Sequence, residues 1–177
     1  MQPDAPVSEP TAQPGSGIPV RVTVLGTPTI LGPDGTPIIG LRKHARQLLV
    51  YLAVHRPGAD REKIFAEFWP TADPRRAAER LDTEVGDLRK HLRRAAGDDK
   101  VQPVVNPGGR YYLDPKIVTV DVWVMVDALR DAANPATTPA VRIAALRRAV
   151  DAHAGVLSDG HNYDWIDPFR QRIRRDG

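Results

Sequence analysis

Between Pro74 and Ala96 the chain sets Arg76, Arg80, Lys90 and Arg94 at helical spacing, with Thr83 and Asp87 among them. At about 100° per residue these six side chains share one side of a helix. Basic residues spaced in this way can neutralise phosphates along the rims of a duplex groove, releasing counterions. Arg can also hydrogen-bond guanine, and Thr can touch a thymine methyl. The same residues equally describe an ordinary solvated helix face. Glu79, Asp82, Glu84 and Asp87 lie on this helix too. An acid on the outer face repels phosphate, accepts from cytosine N4, or pairs with an Arg three or four residues away.

Other chemistry is sparse. The serines are Ser8, Ser16 and Ser158, and only Ser158 has a histidine, His161, close by in sequence. No nucleophile-elbow pattern surrounds it, so no catalytic residues are expected. His44, His55, His91, His153 and His161 are not at ligand spacings, and Cys is absent, so no metal site is expected. No phosphate-cradling loop or dinucleotide fingerprint follows a strand, and no cofactor is expected. Gly108 and Gly109 read as turn residues. Trp69, Trp123 and Trp165 each sit beside a helix boundary among apolar neighbours, which favours packing over base stacking.

The bulk properties agree with a soluble globular chain. It has 177 residues, 41% hydrophobic and 27% charged, with a net charge of +3. No stretch approaches the roughly 20 apolar residues of a membrane span, so no membrane contact is expected. The N-terminus has no basic segment leading into an apolar core, so no signal peptide is expected. A chain without Cys fits a reducing compartment, and a cytoplasmic location is expected.

These residues need a frame to position them. Residues 1–17 are rich in Pro, Ala, Ser and Gln and read as a disordered leader or linker. Val20, Val22 and Val24 alternate with Arg21 and Thr23, the pattern of a half-buried strand. Thr29–Leu31 and Thr36–Ile39 flank Pro33-Asp34-Gly35, a turn between short strands, so a small antiparallel sheet should open the fold. Ala45, Leu48, Leu49 and Leu52 then mark a first helix, ended by Pro57-Gly58. Asp60 is placed to cap a second helix that Pro70 stops. Asp73-Pro74 opens the third, which Gly97 closes, with Leu81, Val85, Leu88 and Leu92 facing the core. Val101–Val105 and Arg110–Leu113 form a hairpin around Asn106-Pro107-Gly108-Gly109, with Arg110 at its tip. The order sheet, three helices, hairpin is that of a winged helix-turn-helix, an α+β fold.

The remainder is helical. Asp121 is placed to cap a helix with Val122, Met125, Val126 and Leu129. Thr138-Pro139 opens another with Ile143, Leu146 and Val150 inside, and Asp167-Pro168 a last one with Phe169 and Ile173. The expected organisation is a leader at 1–17, a winged helix at 18–120 and a helical segment at 121–177.

Several stretches resemble one family. They are Val22-Thr-Val-Leu-Gly26, Arg46-Gln-Leu-Leu-Val-Tyr-Leu-Ala-Val-His55, Phe65-Ala-Glu-Phe-Trp-Pro70, Leu81-Asp-Thr-Glu-Val-Gly-Asp-Leu-Arg-Lys90, Gly108-Gly-Arg-Tyr-Tyr-Leu113 and Val118-Thr-Val-Asp121. In this order and spacing they resemble the OmpR/PhoB-type winged helix of the Streptomyces antibiotic regulatory proteins. Gly155-Val-Leu-Ser-Asp-Gly160 and Tyr163-Asp-Trp-Ile-Asp-Pro-Phe-Arg170 resemble the start of the tetratricopeptide-like bacterial transcriptional activation domain that follows it in that family. The resemblance implies a transcription regulator that binds direct-repeat promoter DNA, with the third helix in the major groove and the hairpin alongside. It also implies contact with RNA polymerase, and an oligomer is compatible with it. Family base-contacting positions fall at Glu79, Thr83, Glu84, Gly86 and Asp87, while Arg75, Arg76, Arg80, Lys90 and Arg110 are this chain's own candidates for phosphate contact. The acids at 79, 84 and 87 depart from the family pattern. The alternative is therefore a protein-interaction module on the same fold that has lost specific DNA reading.

Overall fold

The structure, a computed structural model, describes residues 17–176. Of the leader expected at 1–17, all but Gly17 lies outside the described residues. β1 (Val20–Thr23) pairs antiparallel with β2 (Thr29–Leu31) and parallel with β6 (Val118–Val120). The first sheet is thus mixed, in the order β2-β1-β6, where an antiparallel one was expected. Its third strand returns from beyond the hairpin and covers the second edge of β1. Val20, Val22 and Val24 point into the core as their alternation requires. The strand expected over Thr36–Ile39 is reduced to one bridge, Leu31 to Pro37, because Pro37 has no N–H to donate to a ladder.

α1 (Lys43–Val54), α2 (Arg61–Phe68) and α3 (Pro74–Ala96) follow. The expected apolar stripes of α1 and α3 are buried. α3 starts where Asp73 accepts the backbone N–H of Arg76 at 3.1 Å, with Pro74 at the first helical position. It ends at Gly97, whose φ of 66° is the left-handed conformation that glycine adopts without strain. Asp60 occupies the cap position of α2 without a side-chain cap bond; its carboxylate pairs with Arg110 instead.

A second sheet has the order β3-β5-β4, from Ala59–Asp60, Arg110–Leu113 and Val104–Val105. β4 is shorter than the expected run from Val101, since the Val101 carbonyl and the Gln102 side chain are bound by Arg93 of α3. The hairpin turns through Pro107–Gly109. Helix-turn-helix and hairpin therefore sit side by side, which is the winged-helix arrangement.

α4 (Asp121–Ala133), α5 (Pro139–Ala152) and α6 (Asp167–Asp176) complete the chain. The cap position of α4 is Val120, one residue before the Asp121 expected there; Asp121 opens the helix and accepts the Val122 N–H at 2.8 Å. Its carboxylate also accepts the backbone N–H groups of Val24 at 2.9 Å and Leu25 at 3.0 Å, tying the helix start to the end of β1. α5 departs from expectation. Ala145 and Ala149 face α4, while Ile143, Leu146 and Val150 are exposed. Small side chains let the two helices approach closely, which turns the large ones outward. The loop at 155–160 runs beside β1: the Ser158 N–H donates to the Val24 carbonyl and the Gly26 N–H to Val156. α6 lays Phe169 on Trp165 and His55, and Trp165 in turn meets Tyr51 of α1. One hydrophobic cluster runs from Val20 to Ile173, across residue 120 without a break. Among the described residues no helix is long and apolar enough to cross a membrane.

Candidate nucleic-acid interface

α3 is held from behind by α1 and α2 and flanked by the hairpin. Its outward side presents Arg75, Arg76, Glu79, Arg80, Thr83, Gly86, Lys90 and Arg94, all exposed. The tail helices leave this surface open to solvent. Arg75 pairs with Glu79 at 3.2 Å and Arg76 with Asp73 at 3.5 Å. Such exposed pairs are worth about 0–1 kcal/mol, so they yield readily to a phosphate. Among the described residues Arg80, Lys90 and Arg94 have no carboxylate within 4.0 Å, the limit for an ion pair. The Thr83 hydroxyl donates to the Glu79 carbonyl at 3.0 Å. That bond uses its hydrogen and leaves the methyl and a lone pair free for a base edge.

Of the three acids at family base-contacting positions, Glu79 stays on the outward side, and the other two are elsewhere. Glu84 and Asp87 are turned toward α1, with only 12% and 13% of their side chains exposed. Asp87 accepts the backbone N–H of Arg42 at 3.0 Å, and its other oxygen lies 3.6 Å from His91 Nδ1. Glu84 Oε1 is 4.0 Å from His44 Nδ1, and Oε2 is buried without a hydrogen-bond partner. Asp87 thus leaves the outer face on which periodicity placed it. The reason is that α1 begins against that flank of α3, and its N-terminal N–H groups attract a carboxylate. The open face is centred nearer Glu79, Gly86 and Lys90. A Cβ added at Gly86 would meet nothing within 4 Å, so a partner can approach the helix backbone closely there.

The hairpin is less basic than expected. The Arg110 guanidinium is directed back to β3, donating to the Pro57 carbonyl at 3.1 Å and to Asp60 at 3.2 Å, and remains half exposed. Two arginines outside the expected set of contacts connect helix and hairpin. Arg89 Nε donates to the Val104 carbonyl at 3.0 Å, and Arg93 Nε to the Val101 carbonyl at 2.9 Å. Their four-residue spacing on the hairpin flank of α3 was the available signal.

Among the other candidates, Trp69, Trp123 and Trp165 are buried, with Trp123 Nε1 donating to the Ala53 carbonyl at 2.7 Å. Ser158 is fully buried, and His161 Nδ1 faces the Asp159 carbonyl.

No family model matches the sequence, and no curated protein does. The fold has a counterpart among solved structures: Mycobacterium tuberculosis EmbR in complex with a low-affinity phosphopeptide, at a TM-score of 0.70 and 22% identity. The match covers 89% of this chain and 42% of EmbR. The chain thus spans under half the length of that protein, and what the two share is a fold, a winged helix-turn-helix followed by helices.

Proposed function

We propose that this chain is the DNA-binding part of a transcription regulator. α3 enters the major groove and the β4–β5 hairpin lies on adjacent DNA. Arg80 and Lys90 contact phosphate or base edges, Arg75 and Arg76 exchange their carboxylate partners for phosphates, and Thr83 touches a base. Arg110 adds a weaker contact, limited by its bonds to Asp60 and Pro57. In this reading Glu84 and Asp87 act from behind, by fixing α3 on α1.

One observation carries the reading: among the described residues, the outward side of α3 exposes Arg80, Lys90 and Arg94 with no carboxylate partner, while Glu84 and Asp87 are withdrawn and the exposed Glu79 is paired with Arg75. The resemblance to the antibiotic regulatory family supports direct-repeat promoter sites and RNA polymerase as partners. The test is a salt series with duplex DNA. Each neutralised phosphate contributes about −0.9 to the slope of log K against log salt, so four contacts give a slope of about −3.6. Absence of binding at low salt would sink the proposal for this chain.

A protein-interaction role is the second reading, and the exposed Ile143, Leu146 and Val150 of α5 favour it. It predicts no salt-dependent duplex binding and loss of a protein partner on Leu146→Asp.

A further inference from the structure

A cleft of about 360 Å³ opens where the C-terminal end of α1 meets α4 and α6. Its floor is apolar, built from Val54, Val126 and Ile173 with the rings of Trp123 and Phe169. The indole is oriented by its bond to the Ala53 carbonyl at 2.7 Å. Around it stand three guanidiniums, from Arg56, Arg130 and Arg172. Arg56 lies 5.1 Å from the centre of the Trp123 ring and Arg172 5.8 Å from that of Phe169.

Carboxylates are fewer. Asp127 is shared by Arg56 at 2.7 Å and Arg130 at 3.5 Å, and Asp176 lines the rim. Among the described residues Arg172 has no carboxylate within 4.0 Å. Among the described residues the cleft therefore holds one positive charge in excess, on a side chain lying over an aromatic face.

We propose that this cleft binds a small organic monoanion with a flat apolar body, such as an aromatic carboxylate or sulfonate. Its volume lies within the roughly 300–1,000 Å³ of small-molecule sites, and an apolar lining with a few placed polar groups is their usual composition. The anion pairs with Arg172, whose planar fork matches a carboxylate or sulfonate. The body lies over Trp123, Phe169 and Val126. A neutral ligand forgoes the Arg172 contact, and a polyanion meets Asp176 at the rim. The walls come from both α1 and the tail helices, so the ligand bridges the winged helix and the tail. α3 forms no part of the cleft, and the site stands independently of the nucleic-acid reading.

The test is fluorescence titration of the intact chain with anilinonaphthalene sulfonate, and with phenylnaphthylamine as a neutral probe of similar rings. Saturable single-site binding of the sulfonate is expected. Arg172→Gln should weaken it about tenfold, or about 1.4 kcal/mol, and leave the neutral probe unchanged. Val126→Phe, which fills the cleft, should weaken both. The melting temperature of each variant shows that it is folded. Four results overturn the proposal: no saturable binding, equal loss of both probes in Arg172→Gln, retention of the sulfonate in both variants, or its loss in Ile143→Asp on the exposed α5 face.

Discussion

Asp87 Oδ2 accepts the backbone N–H of Arg42 at 3.0 Å, so a residue of the third helix serves the start of the first. Arg42 is the cap residue of α1 and supplies no side-chain cap of its own. The carboxylate also faces the positive end of the α1 dipole. The contact locks the angle between the DNA-facing helix and the helix behind it.

Replacing Asp87 should therefore act on stability first. Asp87→Ala is expected to cost about 1 kcal/mol, the usual loss for a helix cap, read from the urea midpoint. Affinity for DNA, compared at equal folded fraction, should change little. A gain in affinity without loss of stability would show that the carboxylate was repelling phosphate after all.

Arg80 and Lys90 test the opposite face. Each is exposed and has no carboxylate partner among the described residues, so Arg80→Ala and Lys90→Ala should leave the melting temperature unchanged. If each touches one phosphate, each variant should flatten the salt slope by about 1 and weaken all duplex sequences alike. Relaxed preference at a single base pair would instead assign that side chain to a base edge.

Gly86 separates folding from binding in one substitution. It sits in mid-helix, and an added Cβ meets nothing. Gly86→Ala should stabilise the chain by about 0.5–1 kcal/mol, because alanine gives up less backbone entropy in a helix. DNA affinity should fall if the duplex approaches the helix backbone at this point. Unchanged affinity would move the closest approach elsewhere along α3.

Arg89 links helix and hairpin. Arg89→Ala should speed amide exchange in β4 while leaving that of α1 unaltered, since it frees the Val104 carbonyl. Equal exchange in both proteins would show that β4 is held by β5 alone.

His55 makes stability depend on pH. It stacks on Tyr51 at 4.1 Å and meets Phe169 of the tail at 5.0 Å. Burial pushes its pKa below 6.5, and Lys63 adds to this against the Tyr51 carbonyl and Glu67. A histidine with a depressed folded pKa is neutral in the fold and takes up its proton more readily when unfolded. Its contribution is present above about pH 6.5 and lost as pH falls through the folded pKa. Thermal melts across this window should show stability declining on acidification, and His55→Phe should lessen the decline. The same slope in wild type and variant would assign it to other groups.

The ends of α3 and its buried stripe of Leu81, Val85, Leu88 and Leu92 were legible in the sequence, because cap, proline, glycine and periodicity are local chemistry. The order of helices and hairpin was legible for the same reason, and with it the winged-helix fold. The outward direction of Asp87 was not. Periodicity gives the angle between side chains on one helix, but neighbouring elements decide how wide an arc they cover. α1 begins against the flank of α3 and draws in Glu84 and Asp87. The same limit applies to α5, where Ala145 and Ala149 rather than the larger residues meet α4. It applies again to Arg110, which the tertiary structure gives to Asp60 across the β3–β5 pairing. The basic character of the candidate interface is a property of the sequence. Which charges stand free on it was decided only by the packing of α1 and the hairpin around α3.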